Sequence, residues 1–111
     1  MGLVDEQWEF LRDMAKLILF IETLPGHKAS GGELLRPIEM QELYVKRGAS
    51  KTMRSRHLEK LAIDINLFID GKYVADKAGH AALGAYWKSL SPKNRWGGDW
   101  GWDANHYERN A

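Results

Sequence analysis

The sequence predicts an α+β fold, a small antiparallel β-sheet with flanking helices, and three observations support this prediction. A helical repeat of apolar residues runs over residues 6–23, and a second one covers residues 77–90. Between them, alternating apolar residues over 61–69 precede the hairpin dipeptide Asp70-Gly71. Strands and helices do not alternate regularly, which argues against a doubly wound parallel sheet.

Length and composition restrict the class of protein. The 111 residues suffice for one domain with a modest core, and we expect a single domain over residues 1–111. The net charge of +1 argues against a dedicated nucleic-acid binder, which usually carries a clear basic excess. The chain has no cysteine, so a metal site would have to rest on histidine and carboxylate ligands.

The first apolar repeat predicts a helix over residues 6–23, capped by Asp5 and stopped by Pro25-Gly26. We expect this helix to be part of the core scaffold, since no candidate chemistry lies on it. The following residues, 26–32, are predicted to form a loop.

The middle of the chain is predicted to hold a short strand and a second helix. The strand covers residues 33–36, and the helix begins at Pro37 and ends near Lys46, before Gly48. Residues 49–56 are polar and basic. They form either a solvated loop or a rim that attracts an anionic substrate.

The clearest strand covers residues 61–69, where alternate apolar side chains share one face. Asp64 therefore points away from the apolar face. Asp70-Gly71 predicts a two-residue hairpin turn, after which residues 72–74 form the return strand. The apolar face consists of Leu61, Ile63, Ile65, Leu67 and Ile69.

The last third of the chain is predicted to form a helix, an aromatic loop and a terminal strand. Asp76 caps the helix over residues 77–90, residues 96–102 form the Gly-rich loop, and residues 106–108 form the strand. Of the three tryptophans in the loop, we expect one or two to pack in the core and an exposed one to line a substrate groove. The predicted buried side of the helix is Ala82, Leu83, Tyr86 and Trp87, and the predicted surface histidines are His27 and His80.

Two separate clusters of polar residues point to metal chemistry. His57 precedes the clearest strand and Asp64 lies in it, while Asp103 and His106 lie near the C-terminus. Two imidazoles and one carboxylate are a ligand set that zinc hydrolases use, with one position left open for water. Asp103 is then a second carboxylate, suited to take a proton from that water.

Several motifs in this order resemble a known enzyme family. Over about Gly31 to Glu108, the chain is similar to the zinc peptidases that cut peptidoglycan stem peptides. These include D-Ala-D-Ala carboxypeptidases, the D-Ala-D-Ala dipeptidases of vancomycin resistance and phage endolysins that cut L-Ala-D-Glu, and their fold is shared with the hedgehog signalling domain. The motifs are Gly32-Glu-Leu-Leu-Arg36 with Gln41, Leu43 and Tyr44, then Ser55-x-His57-x-x-x-x-Ala62-x-Asp64, Trp96-Gly97-Gly98-Asp99 and Asp103-x-x-His106-Tyr107-Glu108.

The resemblance implies roles in catalysis and metal binding. It implies that His57, Asp64 and His106 are the ligands of Zn²⁺. Asp103 is implied to be the catalytic base that passes a proton to the leaving amine, and a turn aspartate that caps the next segment is the alternative. Glu108 either orients a histidine ligand or is a surface charge.

The resemblance also implies how substrate is bound. Arg36 stabilises the developing oxyanion or grips a substrate carboxylate, with a structural ion pair as the alternative. Ser55 is implied to donate a hydrogen bond to the substrate. Trp100 is our candidate, from the aromatic loop itself, for the exposed tryptophan that contacts substrate. Lys60 departs from the family, because most members have glycine there. Since lysine requires an ordinary backbone conformation, we expect either a different turn or a side chain directed to solvent.

The resemblance therefore predicts a monomeric zinc peptidase of phage endolysin type, either an L-Ala-D-Glu endopeptidase or a D-Ala-D-Ala carboxypeptidase. Its partner is the peptidoglycan stem peptide, with no nucleic acid and no membrane. The alternative is a non-catalytic zinc or cell-wall-binding domain, although Asp103 and Arg36 favour the enzyme. No signal peptide is visible, so we expect synthesis in the host cytoplasm and action on the cell wall or periplasm after release.

Overall fold

In the computed structural model, which describes residues 2–32 and 59–110, an antiparallel sheet of five strands packs with two helices. This confirms the predicted α+β class. The strand, helix and basic segment predicted within residues 33–56 lie outside the described residues. In chain order the elements are α1 (Leu3–Thr23), β1 (His27–Gly31), β2 (Ala62–Ile69), β3 (Lys72–Val74), α2 (Lys77–Leu90), β4 (Asn94–Trp96), a 3-10 helix (Gly97–Trp100) and β5 (His106–Arg109).

Strand β2 is the element on which the sheet is built. Its second half pairs with β1 and β3, and its first half pairs with β5, which also pairs with β4. The predicted alternation is confirmed, since Ile63, Ile65 and Leu67 are buried while Asp64 is partly exposed. The predicted hairpin is confirmed too, because Asp70-Gly71 has the positive φ angles that such a turn requires.

Strand β1 corrects the prediction of a loop over residues 26–32. Its residues pair antiparallel with β2, from His27 opposite Ile69 to Gly31 opposite Ile65. Four of its five residues are exposed, and they are small or polar. The strand is therefore held by hydrogen bonds to β2 and not by burial of its side chains, so its sequence carries no alternating apolar pattern.

Lys60, just before β2, has φ 57° and an exposed side chain. The expectation that lysine requires an ordinary backbone conformation is therefore wrong. The residue takes the left-handed conformation that glycine adopts without penalty, and a lysine there carries a cost of about 1 kcal/mol or more. Because the Lys60 side chain points to solvent, nothing in the core opposes lysine in place of glycine at this position.

Helix α1 begins at Leu3, earlier than predicted, and Gly2 is the residue at its N-cap position. Asp5 is not the cap. It lies in the first turn and accepts a hydrogen bond from the Gly2 N–H at 3.2 Å, a position where the helix dipole favours a carboxylate. The core-facing side chains of α1 are Phe10, Leu17 and Ile21. Within the described ranges, no helix is long and apolar enough to cross a membrane.

A buried ion pair fixes the N-terminal half of α1 to the end of β5. Arg109 Nε donates to one oxygen of Glu6 at 2.6 Å, and Lys93 donates to the other at 2.8 Å. Hydrogen bonds from Lys93 and Arg109 lower the pKa of Glu6 and keep it ionised. Because a buried charge without its partner is costly, the helix is held in one position against the sheet.

Helix α2 spans the predicted residues 77–90, and the Asp76 carboxylate caps it by accepting from the Gly79 N–H at 2.8 Å. Its buried positions are His80, Leu83 and Trp87, spaced by three and four residues as on one helical face. Ala82 was predicted to be buried but is exposed, because it lies between these positions and points to the opposite side.

His80 is a core residue, which corrects its prediction as a surface histidine. It is completely buried, with Nε2 donating to the Val74 carbonyl at 3.0 Å and Nδ1 accepting from the Tyr107 hydroxyl at 2.6 Å. Burial disfavours the charged imidazolium and lowers the pKa of His80. The neutral ring therefore connects α2 to β3 and β5.

We expect His80 to contribute a decrease in the free energy of unfolding as the pH falls below 6.5, the usual pKa of histidine. In that range the unfolded chain binds a proton that buried His80 does not bind, whereas above it both states carry neutral histidine. His80→Gln removes this titration, so the stability difference between wild type and variant should shrink as the pH falls. Urea unfolding of both metal-free proteins at about pH 7.5 and about pH 5.5 measures this, and a constant difference would contradict it.

Candidate metal centre

Asp64 and His106 are direct partners across the β2–β5 pair. Asp64 is on the face of β2 opposite its apolar side chains, and His106 is the first residue of β5. Their side chains meet with Asp64 Oδ1 at 3.3 Å from His106 Nδ1. The His106 side chain is 7% exposed and the Asp64 side chain is 24% exposed. The imidazole is therefore buried, and the carboxylate is partly open to solvent.

Asp103 approaches the same imidazole nitrogen from the loop before β5. Its Oδ2 is 3.8 Å from His106 Nδ1, and its carbonyl accepts from the His106 N–H at 3.0 Å, which closes a turn. Gly97 holds this turn in place by close approach, since a Cβ at that position would lie 2.0 Å from the Asp103 carbonyl oxygen. Two carboxylates therefore converge on one nitrogen of His106.

Glu108 contacts the other nitrogen of the same ring. It lies two residues after His106 on β5, so both side chains share one face, and its Oε1 is 2.8 Å from His106 Nε2. Arg95, directly opposite on β4, donates from Nε to Glu108 Oε2 at 2.9 Å and also contacts it through an Nη nitrogen. Because His106 Nε2–H donates to Glu108, Nδ1 faces Asp64 and Asp103.

The carboxylates determine the charge of His106. Burial lowers the pKa of His106, but hydrogen bonds to Asp64 and Glu108 and the charge of Asp103 outweigh burial and raise this pKa to about 9. For Glu108, burial raises the pKa, but the hydrogen bonds from His106 and Arg95 outweigh it and leave the pKa lowered. The centre therefore favours a positive charge at His106 Nδ1.

Trp100 and Trp102 form a pair beside His106, and Trp96 is buried in the core. Trp96 is buried, donates from Nε1 to the Ala104 carbonyl at 2.6 Å, and packs where a Cβ on Gly84 would touch its indole. Trp100 and Trp102 are 39% and 53% exposed, with ring centroids 5.9 Å apart. The Trp100 ring lies 5.2 Å from the His106 ring, which places an aromatic surface beside the Asp64–His106 pair.

The spacing of Asp64 and His106 is compatible with two ligands of one zinc ion. Two ligands bound at ~2.0–2.1 Å around a tetrahedral metal lie about 3.3 Å apart, which agrees with the measured 3.3 Å between Asp64 Oδ1 and His106 Nδ1. Imidazole nitrogen and carboxylate oxygen are donors that zinc accepts. Within residues 2–32 and 59–110, no three such side chains are arranged so that they could hold a metal ion together.

The structure brings together Asp64, His106, Asp103 and Trp100, four of the residues to which the sequence assigned a function. The predicted ligand His57 and the predicted substrate residues Arg36 and Ser55 lie outside the described residues. For Glu108, the two alternatives were a contact with the histidine or a surface charge. It is buried and contacts His106.

Arg95 was missed by the sequence analysis. Its guanidinium pairs with buried Glu108, although 46% of the Arg95 side chain is exposed. The signal in the sequence is its position one residue before the Gly-rich motif, on a short strand. That signal becomes informative only once the register places Arg95 opposite Glu108.

Comparisons with known proteins found a family and a solved structure that this chain is similar to. A family model described as D-alanyl-D-alanine carboxypeptidase matches residues 48–109, more than half of the chain. Among solved structures, an L-Ala D-Glu endopeptidase from Serratia marcescens, ChiX, is similar with a TM-score of 0.74 and 24% sequence identity, over 90% of this chain and 77% of that one. The TM-score shows a shared fold. No curated protein sequence matches.

We expect Glu108→Gln to lower the pKa of His106 in the metal-free protein from its value of about 9. The amide keeps the size of the side chain but removes the negative charge that stabilises the imidazolium. NMR titration of the His106 ring protons measures the change. Glu22→Gln, on an exposed position of α1, is the control. An unchanged His106 titration in Glu108→Gln would show that Glu108 does not set the charge of this ring.

Proposed function

This chain belongs to the D-alanyl-D-alanine carboxypeptidase family, and from that premise we propose that it is a zinc-dependent peptidase that hydrolyses stem peptides of peptidoglycan. The observation that carries the proposal is the convergence of Asp64 and Asp103 on His106 Nδ1, at 3.3 and 3.8 Å. A histidine with a purely structural role would not require two carboxylates beside one nitrogen of its buried ring.

In this proposal His57, Asp64 and His106 hold the zinc ion. Glu108 accepts from His106 Nε2–H and so keeps Nδ1 directed at the metal position, and Arg95 keeps Glu108 ionised. When bound, zinc supplies a Lewis acid that polarises the scissile carbonyl and lowers the pKa of water.

Asp103 is proposed as the general base and acid. Its Oδ2 lies 3.8 Å from His106 Nδ1, farther than Asp64 Oδ1 at 3.3 Å, so Asp103 would be free of the metal and would accept a proton from the attacking water. The same carboxyl group then protonates the leaving amine, which avoids expulsion of an unstable amide anion. Asp103 is partly exposed, so a proton can reach it from solvent.

The substrate contacts follow the same reasoning. Trp100 gives the open side of the centre an aromatic wall, which suits the methyl groups of alanine residues in a stem peptide. Arg36 is proposed to bind the developing oxyanion or a substrate carboxylate, and Ser55 to donate a hydrogen bond to the substrate. The ChiX structure is of an L-Ala D-Glu endopeptidase, and the family model is named for D-alanyl-D-alanine cleavage, so both bonds are candidates.

The biological setting is proposed to be that of a phage endolysin. Such an enzyme is made in the host cytoplasm and reaches the cell wall or periplasm only after release.

Digestion of purified peptidoglycan, followed by mass spectrometry of the fragments, tests the proposed activity and identifies the bond. Release of stem-peptide fragments is expected. Binding of wall fragments without any cleavage would favour the alternative, a non-catalytic wall-binding domain.

We expect one zinc ion per chain, lost in Asp64→Ala and in His106→Ala and retained in the control His27→Ala. Metal binding to the folded state should also raise the melting temperature of wild type but not of the two ligand variants. Elemental analysis and thermal unfolding with and without added zinc measure both effects. Wild type that contains no zinc and is not stabilised by it would contradict the proposal.

We expect Asp103→Asn to fold and to hold zinc, because Asp103 is not needed for a three-ligand site. Its rate of peptidoglycan hydrolysis should fall by roughly a hundredfold or more, since an amide cannot accept the proton. Asp99→Asn is the control, because Asp99 lies in the same loop but pairs with Lys88 on the surface. Loss of zinc in Asp103→Asn would make Asp103 a ligand, and full activity with bound zinc would place the base elsewhere.

A further inference from the structure

Helix α1 has a second apolar face, separate from the one that packs in the core. The exposed fractions of its large members are 75% for Val4, 61% for Leu19, 57% for Trp8 and 49% for Leu11 and Ile18. At ~100° per residue, these positions fall within about a third of the helix circumference. With exposed Ala15 they form the apolar stripe, which consists of Val4, Trp8, Leu11, Ala15, Ile18 and Leu19.

A surface helix normally presents charged residues on the side away from the core. In α1 that side carries the apolar stripe, while the core is contacted by Phe10, Leu17 and Ile21. Scattered apolar residues on a surface need no explanation, but a contiguous stripe along more than four turns is typical of an interaction site. None of the stripe residues belongs to the metal centre.

We propose that the apolar stripe binds the same stripe of a second copy of this chain, with the two α1 helices antiparallel. A two-fold axis near Leu11 places Trp8 of one copy against Ala15 of the other, which matches a large side chain with a small one. The same axis places Val4 opposite Ile18. This proposal replaces the monomer expected from the sequence.

The charges beside the stripe favour the antiparallel arrangement. One flank of the stripe carries Asp5 and Glu9 in its N-terminal half and Arg12 and Lys16 in its C-terminal half. In an antiparallel pair these flanks adjoin in opposite directions, so Asp5 of one copy lies near Lys16 of the other, and Glu9 near Arg12 of the other. In a parallel pair this flank would instead adjoin the opposite flank of the other helix, which carries Gln7 and Met14, so these ion pairs would not form.

The charge of α1 argues against a lipid surface as the occupant. The helix carries five acidic and two basic residues, a net charge of −3, whereas helices that lie on anionic membranes are rich in lysine and arginine. The stripe from Val4 to Leu19 is about 24 Å long, and each copy contributes a single helix, so the buried contact area is small. We therefore expect a dimer that dissociates on dilution and not an obligate one.

Sedimentation equilibrium of the full chain over a wide concentration range tests the association. Wild type should show a reversible monomer–dimer equilibrium. Leu11→Glu, at the two-fold axis, places two like charges in the contact and should weaken association by at least about tenfold. Ala85→Glu, on an exposed position of α2, should leave the equilibrium unchanged. A monomer at every concentration, or binding to anionic vesicles in place of self-association, would overturn the proposal.

Cysteine cross-linking tests the orientation of the two helices. Because the chain has no natural cysteine, any disulfide would come from the introduced residues. Leu11→Cys should form a disulfide-linked dimer by itself, and an equimolar mixture of Val4→Cys and Ile18→Cys should form a mixed dimer. Val4→Cys alone should not, because in an antiparallel pair the two copies of residue 4 lie about 21 Å apart. Ala85→Cys is the control for random collision. Efficient cross-linking of Val4→Cys with itself would overturn the antiparallel arrangement.

Discussion

The pairing of β2 with β5 is the interaction on which the candidate site depends. Its register places Asp64 directly opposite His106, and a shift by one residue would turn each side chain to the other face of the sheet. Two contacts on the core face of the sheet hold this register. The apolar residues of β2 are buried on one face, and the Arg109–Glu6 ion pair ties the end of β5 to α1.

Electrostatics explains how His106, a ligand in the proposed metal site, can carry a charge while buried. The carboxylates of Asp64, Asp103 and Glu108 surround its ring, and Arg95 is the cation beside Glu108. Burial lowers the pKa of His106, but these carboxylates outweigh burial and raise the pKa to about 9, which retains a proton on the ring in the absence of metal. In the proposed site the same negative charge would stabilise a divalent cation bound at Nδ1, with release of the proton.

The parts of the fold that local sequence determines were predicted well. Asp70-Gly71 and the Asp76 cap fix a hairpin and a helix start within a few residues, so no long-range information is needed. His80 and Arg95 were misjudged or missed because burial and cross-strand position depend on residues far along the chain. The spacing of residues made Asp64 a candidate ligand, but its meeting with His106 requires a register that periodicity does not encode.

The central claim is that the β2–β5 pair forms a metal centre, and the position of a bound metal tests it most directly. Crystals of the protein grown with zinc, measured at the zinc absorption edge, would give an anomalous map. The account predicts one strong peak within bonding distance of Asp64 Oδ1 and His106 Nδ1, with Glu108 still bonded to Nε2. A peak only at other side chains, or no peak at full zinc loading, would contradict the account.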